Sequence, residues 1–386
     1  MKIAFLTPEY PHPKMKFSGG IGTSVFNLSN GLRLSGNQVF IVVYGQDKDD
    51  FFIENGIAFY LIKNCKRKGL SKFLTQKKIE KCLTKLIDKK EIDLIEAVDW
   101  EGITSNITTK CPIVIKLHGS DTYFCHLDNR PVKFLNRFHE KRALKRADAL
   151  ISVSQYTADL TNQLFGLTRN FKIIPNGIDL LKFQNAKADS EDKDWNILYF
   201  GTLIRKKGSL ELPLIFNEVY KTNKKAKLIL VGKDSPDKKS GNTSVWSMMQ
   251  GMFDVEAQQS VEYVGSVSYD TIKEYIKAAT VCIFPTFAEA LPVSWIEAMA
   301  MNKAIVASNI GWANEIIEDG VNGFLVHPQD HVAFAQRIVA LLENQELRNS
   351  FGIAARAKAT QSFSKEVIAA KNVAYYEYVI KNNKKI

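Results

Sequence analysis

The chain has 386 residues, 45% of them hydrophobic and 24% charged, which excludes a disordered or fibrous protein and fits two globular domains, because single cores stop growing near roughly 250–300 residues. No apolar run approaches the ~18 residues of a membrane-spanning helix, the N-terminal MKIAFLTPEY turns polar too early for a signal peptide, and five scattered cysteines (Cys65, Cys82, Cys111, Cys125, Cys282) form no CxxC pair, which excludes a disulfide framework or structural zinc site and implies a reducing, cytoplasmic setting. The net charge of +11 is uneven: residues 1–176 hold 27 Lys+Arg against 17 Asp+Glu, and the remainder 25 against 24.

In chain order, short β-branched runs recur between helical patterns. KIAFLT (2–7), QVFIVVY (38–44), DLIEAV (93–98), IVIKLH (113–118), ALISVS (149–154) and KIIP (172–175) read as strands. Two basic stretches fall among them, 65–90 and 130–148, and read as amphipathic helices over 70–87 and 130–146. In the first, Leu70, Phe73, Leu74, Leu83, Leu86 and Ile87 are predicted to share an apolar face. Such basic surfaces are either solvated or turned toward an anionic partner. No zinc-finger, GxxG or RNP-like signature favours nucleic acid.

The turn-forming PNGID (175–179) and the polar QNAKADSEDKD (184–194) mark a domain boundary. Beyond it NILYFG (196–201), KLILVG (227–232), VEYVG (261–265), VCIFPT (281–286), AIVAS (304–308) and GFLV (323–326) read as a second set of strands, and 364–380 as a last helix. Strands that are apolar throughout and alternate with helices imply parallel sheets covered on both faces. The pattern occurs twice, so two doubly wound α/β domains are predicted.

The stretch 287–301, FAEALPVSWIEAMAM, places Glu289 and Glu297 in apolar text. VCIFPT ends a strand, and Pro292 suits the first turn of a helix because its missing N–H would be unpaired there. Glu289 is then in the loop at the carboxyl end of a parallel strand, where open α/β sheets bind ligands. The N–H groups of Ala290, Leu291 and Val293 are predicted to point from a helix N-terminus, as an anion site requires. Glu297 lies about one and a half turns further on, within reach of a diol over the helix start. The bland alternative makes Glu297 a solvated helix residue and Glu289 a cap.

YFGTLIRKKGSLEL (199–212) crowds Arg205, Lys206 and Lys207 between a strand ending at Gly201 and a helix predicted from near Gly208. Cations there suit a diphosphate whose charge grows as a glycosidic bond breaks. KFSGGIGTSVFNLSNGL (16–32) offers Gly19, Gly20 and Gly22 for close backbone approach to a ligand, though it is no GxGxxG fingerprint, which leaves a dehydrogenase without support. IVIKLHGSD ends a strand at His118, either structural or substrate-facing, with Asp121 starting the next helix. DKDD (47–50) and DSEDKD (189–194) resemble metal-binding text but read as solvated loops.

E-x7-E after a parallel strand resembles the signature of the retaining glycosyltransferases of family 4. The likeness continues in AMAMNKAIVASNIGWANEIIEDGVNGFLVHPQD (298–330), LHGSD, PNGID and YFGTLIRKKGS, and so spans nearly the whole chain. It implies a GT-B fold: an acceptor-side domain over 1–176 and a nucleotide-sugar domain over 177–363, two Rossmann-like domains facing a cleft, and a helix over 364–386 crossing back. By the same resemblance Glu297 binds the ribose hydroxyls and Glu289 contacts the donor sugar. Backbone from Ala290 through Leu291 and Pro292 to Val293 holds sugar and phosphate. Lys207 matches the family's lysine on the diphosphate. The family's arginine after Gly201 is Thr202 here, and Arg205 is the substitute. His118 contacts the donor sugar, Gly19 and Gly20 face the diphosphate, and the turn with Ser266 and Val267 meets the base.

The resemblance implies no cofactor and no metal. The expected donor is a nucleotide-sugar, UDP-linked in the family's commonest case, and the acceptor a glycan or lipid-linked glycan of cell-surface polysaccharide synthesis. Enzymes of this kind often work at the inner membrane surface, so peripheral, salt-reversible contact with anionic lipid through 65–90 and 130–146 is expected. The rival readings are an epimerase, a phosphorylase, or a non-catalytic protein of the same fold.

Overall fold

The computed structural model describes residues 1–16, 18–184 and 195–383. Two compact units emerge, one of Met1–Gly177 with Phe363–Ile386 and one of Ile178–Ser362. In the first, strands β1 (Lys2–Thr7), β2 (Gln38–Gln46), β3 (Asp50–Glu54), β4 (Ile57–Lys63), β5 (Leu94–Val98), β6 (Ile113–Leu117), β7 (Ala149–Ser152) and β8 (Lys172–Ile173) form one sheet in the order β3-β4-β2-β1-β5-β6-β7-β8. Every pairing is parallel except β3 with β4. Helices α1 (Gly20–Leu34), α2 (Ser71–Asp88), α3 (Asp121–Leu127), α4 (Phe134–Arg146) and α5 (Gln155–Phe165) lie between strands in the chain.

Helices on both faces bury the central strands end to end. One core joins Ile95, Ile115 and Leu150 to Ile79, Leu83 and Leu86 of α2; the other joins Ile3, Phe5 and Ile41 to Leu28 and Leu32 of α1. This corrects the outward apolar face expected of α2. Leu83 and Leu86 belong to the core, Leu74 and Ile87 are half-buried, and Leu70 and Phe73 at the helix start are exposed. The second basic stretch, expected to be helical from 130, becomes helical only from Phe134, as α4. At the start of α4, Phe134 (79%), Leu135 (66%) and Phe138 (49%) stand exposed.

In the second unit β9 (Trp195–Phe200), β10 (Ala226–Val231), β11 (Val261–Gly265), β12 (Val281–Phe284), β13 (Ala304–Ser308) and β14 (Phe324–Val326) form a wholly parallel sheet, ordered β11-β10-β9-β12-β13-β14. Its helices are α6 (Leu212–Thr222), α7 (Val245–Gln250), α8 (Val255–Gln258), α9 (Ile272–Ala278), α10 (Val293–Ala300), α11 (Ala313–Ile316), α12 (His331–Glu343) and α13 (Gln345–Lys358). The chain winds from β9 out to β11, then returns on the other side of β9 as β12. The loops leaving β9 and β12 therefore diverge at a switch point, where such sheets form a ligand crevice.

The last helix, α14 (Lys365–Lys381), belongs to the first unit. Gly31 of α1 lets it approach closely, since a Cβ there would sit 2.9 Å from the Lys365 carbonyl oxygen. Ile368 and Tyr376 enter the core with β1 and β2, and the Tyr376 hydroxyl donates to the buried carboxylate of Glu96.

Candidate active site

Past β9, Arg205–Lys207 make a single 3₁₀ turn that Gly208 closes in the left-handed region at φ 71°. The loop after β12 is stitched to that turn, because the N–H groups of Phe287 and Ala288 both donate to the Lys206 carbonyl oxygen, at 2.9 and 3.0 Å. Gly208 lies so close that a Cβ there would meet the Pro285 oxygen at 1.7 Å. The stitching brings Lys207 Nζ within 3.0 Å of Glu289 Oε1. The helix expected from Gly208 opens instead at Leu212, after the left-handed residue and a further turn from Glu211 N–H to the Gly208 oxygen.

Burial opposes the charge of Lys207, but Glu289 and Tyr199 outweigh it and hold its pKa above the ordinary lysine value. Burial likewise raises Glu289, and Lys207 with Lys206 outweigh that and hold it below the usual carboxylate value. Both groups are therefore charged near neutrality. Glu289 precedes the helix, since α10 begins at Val293 with Pro292 as N-cap, and its carboxylate is the partner of Lys207. Of the backbone groups expected at this helix N-terminus, that of Val293 lies in the first turn, while Ala290 and Leu291 are buried in the approach.

Glu297 is buried on α10, not solvated. Burial pushes its carboxyl up to about 7, against a hydrogen bond from Tyr269 and the charges of Lys207 and Lys182. Ionising Glu297 in the folded chain therefore costs stability. The cost is absent below about 4.5 and complete above about 7; at roughly 1.4 kcal/mol per unit it reaches about 3 kcal/mol. Glu297→Gln is thus expected to gain on the wild type as pH rises through that window, in unfolding of the ligand-free protein. A difference that stays flat across the window would contradict the buried, ionisable carboxyl.

On the same turn the Arg205 guanidinium forks onto Asp237 in the loop after β10. Gly201 lies at the end of β9 with φ 146°, and Ser266 and Val267 lie in the turn between β11 and α9, Ser266 exposed. Asp237 belongs to no motif, and only proximity in the fold reveals it.

In the first unit His118 follows β6, 9% exposed, and its N–H donates to Asp99 Oδ1 at 2.9 Å. Burial, and then Lys116, push the imidazole down to about 3, so it is neutral near pH 7. Asp121 opens α3, and its carboxylate accepts from Asn136. Gly20 opens α1 with Gly19 as N-cap. The carboxylate of Glu9 accepts from Gly19 N–H at 3.0 Å and Gly22 N–H at 2.8 Å. Glu9 thus meets the electropositive end of α1; the signal for it was a lone glutamate two residues past β1. In DKDD, Asp47, Asp49 and Asp50 pair with Lys16, Lys78 and Lys48, and DSEDKD lies outside the described residues. Among the described residues no group of three or more His, Cys, Asp or Glu is placed to hold a metal ion.

The family described as "Glycosyltransferase Family 4" matches residues 18–181, and "Glycosyl transferases group 1" matches 182–358. The chain is a glycosyltransferase, similar to those of family 4. This glycosyltransferase is 24% identical to the alpha-monoglucosyldiacylglycerol synthase of Acholeplasma laidlawii, over 100% of this chain and 99% of that protein. It is also 24% identical to the N,N'-diacetylbacillosaminyl-diphospho-undecaprenol alpha-1,3-N-acetylgalactosaminyltransferase of Campylobacter jejuni, over 96% and 100%. Among solved structures, Anabaena HepE in complex with UDP-glucose superposes with a TM-score of 0.75 at 20% identity, covering 98% of this glycosyltransferase and 100% of HepE. The two Rossmann-like units are those of the GT-B fold.

Proposed function

We propose that this glycosyltransferase moves a sugar from a UDP-sugar to a glycan or lipid-linked acceptor with retention of configuration, in polysaccharide or glycolipid synthesis. The observation that carries the reading is the Lys207–Glu289 pair at the β9–β12 switch point, with Glu297 buried on the helix that follows. Glu297 holds the ribose hydroxyls, and Glu289 orients the donor sugar. Lys207 meets the diphosphate, with backbone at Ala290, Leu291, Pro292 and Val293 around sugar and phosphate. The bond from the anomeric carbon to the phosphate oxygen breaks with its electron pair on that oxygen. The acceptor oxygen bonds to the same face, and its proton passes to the leaving phosphate. Lys207 stabilises charge as it forms there. HepE was solved with UDP-glucose, and two relatives are named for alpha-linked products, which is the outcome of retention from an alpha-linked donor.

A panel of nucleotide-sugars in thermal unfolding tests the donor. At 100 times its Kd a ligand stabilises by about 2.7 kcal/mol, so a UDP-sugar is expected to raise Tm visibly. NMR of the product then reads the anomer. Stabilisation by sugars on another base alone would remove UDP, and an inverted anomer would remove retention.

The acceptor reading includes an anionic membrane surface met by α4. That helix carries Arg137, Lys141, Arg142, Lys145 and Arg146, while its acid, Glu140, is buried and bonded to Thr122. Phe134, Leu135 and Phe138 stand exposed at its start. Each basic residue near anionic lipid contributes roughly 1 kcal/mol, screened by salt, and exposed aromatics add burial that salt does not screen. No described helix is long and apolar enough to cross a membrane. Co-sedimentation with phosphatidylserine vesicles is expected at low salt, weakened by high salt and by the triple change F134S/L135S/F138S. Absence of binding at low salt would remove the membrane and leave the transfer reaction standing.

A further inference from the structure

The pairing of Arg205 with Asp237 bears on how the leaving group is held. Arg205 Nε donates to Asp237 Oδ1 at 2.9 Å and Nη2 to Oδ2 at 2.6 Å. This is the side-on fork, which commits one edge of the planar guanidinium and leaves the Nη1 edge for a second anion. Among the described residues Nη1 has no partner. The Arg205 side chain is 38% exposed, whereas that of Asp237 is 2% exposed. The carboxylate is thus the buried anchor and the guanidinium the open end.

The loop after β10 is built around that anchor. Ser240 donates to Oδ2 through its N–H (3.0 Å) and its hydroxyl (2.6 Å). Asp237 N–H reaches the Asn242 oxygen, and Gly241 N–H the Asp237 oxygen. Leu203 pairs as a parallel bridge with Asp234, which fixes this loop beside the Arg205–Lys207 turn at the carboxyl edge of the sheet. A free surface arginine would lose rotamer freedom on meeting a ligand; one forked onto a buried carboxylate that Ser240 anchors through two donors has lost it already.

We propose that Asp237 is a positioning residue: it holds Arg205 side-on so that the open guanidinium edge takes the donor's diphosphate, making Arg205 the second cation of the leaving-group site where Thr202 supplies none. The proposal rests on the diphosphate reading of the Arg205–Lys207 turn. It assigns Asp237 a role through Arg205, without contact to substrate.

A double-mutant cycle tests it. UDP and UMP binding are measured by calorimetry for the wild type, Arg205→Ala, Asp237→Asn and the double variant, with Lys207→Ala as reference and thermal unfolding alongside. Asn at 237 keeps the shape but turns an amide N–H₂ toward the guanidinium. Arg205→Ala and Asp237→Asn are each expected to lower the preference for UDP over UMP by about 5- to 20-fold. Asp237→Asn is expected to add nothing once Arg205 is gone. A loss from Asp237→Asn that is the same with or without Arg205 would make the pair a loop clip and overturn the proposal. So would an unchanged preference in both single variants when Lys207→Ala lowers it, and then the diphosphate reading survives alone. If Lys207→Ala leaves the preference unchanged as well, the reading fails and the proposal falls with it.

Discussion

Replacing Lys207 by alanine is expected to lower turnover by roughly 10²–10³-fold, the effect of removing one preorganised charge donor from a developing anion, with a much smaller change in donor affinity. Charge on the leaving diphosphate is greatest in the transition state, so an interaction with it acts mainly on kcat. The ammonium is preorganised: Glu289 holds it at 3.0 Å, and the turn that carries it is tied to the β12 loop through Lys206. The substitution also removes the ion-pair partner of Glu289, with only Lys206 left of the two lysines that favour its charge, so unfolding is measured in parallel to separate a chemical loss from a structural one. Steady-state kinetics with unchanged kcat in a folded Lys207→Ala protein would detach the RKKG turn from catalysis.

Gly208→Ala is expected to destabilise the protein by about 3 kcal/mol or more. The left-handed conformation at φ 71° costs a residue with a Cβ roughly 1–2 kcal/mol, and forcing packed neighbours apart adds roughly 1–3. The neighbour here is main chain, the Pro285 carbonyl oxygen at 1.7 Å from the new Cβ, so no flexible tip can move aside. Gly320→Ala is the control. It has φ 76° and nothing within 4 Å of the added carbon, so it carries the conformational cost alone. Equal losses in urea unfolding would show that the contact with Pro285 is not tight. Because Gly208 closes the turn that aims Lys207, the folded fraction of Gly208→Ala is also expected to lose activity.

Much of the fold was legible because strands buried on both faces have little choice of composition. β12 and the middle of β1 stand out as unbroken apolar runs, and β5 and β6 as apolar runs interrupted once each, by Glu96 and Lys116. The β3–β4 hairpin escaped because β3 is short, charged at both ends and largely exposed, while β4, though apolar, alternates between buried and half-buried residues over its first half; Asn55-Gly56 at its tip, with φ of 49° and 74°, carried the local signal of a tight hairpin. The direction of α2 escaped for a different reason. A periodic stripe of Leu and Ile fixes a helix face, yet the stripe is the same whether core or bilayer receives it.

In the site, Glu289 and Glu297 were legible because carboxylates in apolar text demand a partner, and spacing placed both near one helix start. Lys207 followed from its loop. Asp237 and Glu9 were not legible. Each acts on groups far along or around a turn from it, Asp237 on Arg205 thirty-two positions away and Glu9 on N–H groups ten and thirteen positions on, and no spacing rule connects such pairs.

The return of α14 to the first unit sets an order of events during synthesis. Domains usually complete themselves in the order in which they leave the ribosome. Here the contiguous unit, Ile178–Ser362, has all its parts before the earlier one does. Until residues 365–381 emerge, Gly31 lacks the backbone it packs against, and Glu96, buried in the sheet, lacks the Tyr376 hydroxyl. The first-made sheet therefore waits with part of one face uncovered while the second-made sheet closes. That interval, set by the length of the intervening unit, is when the nascent chain most needs a chaperone.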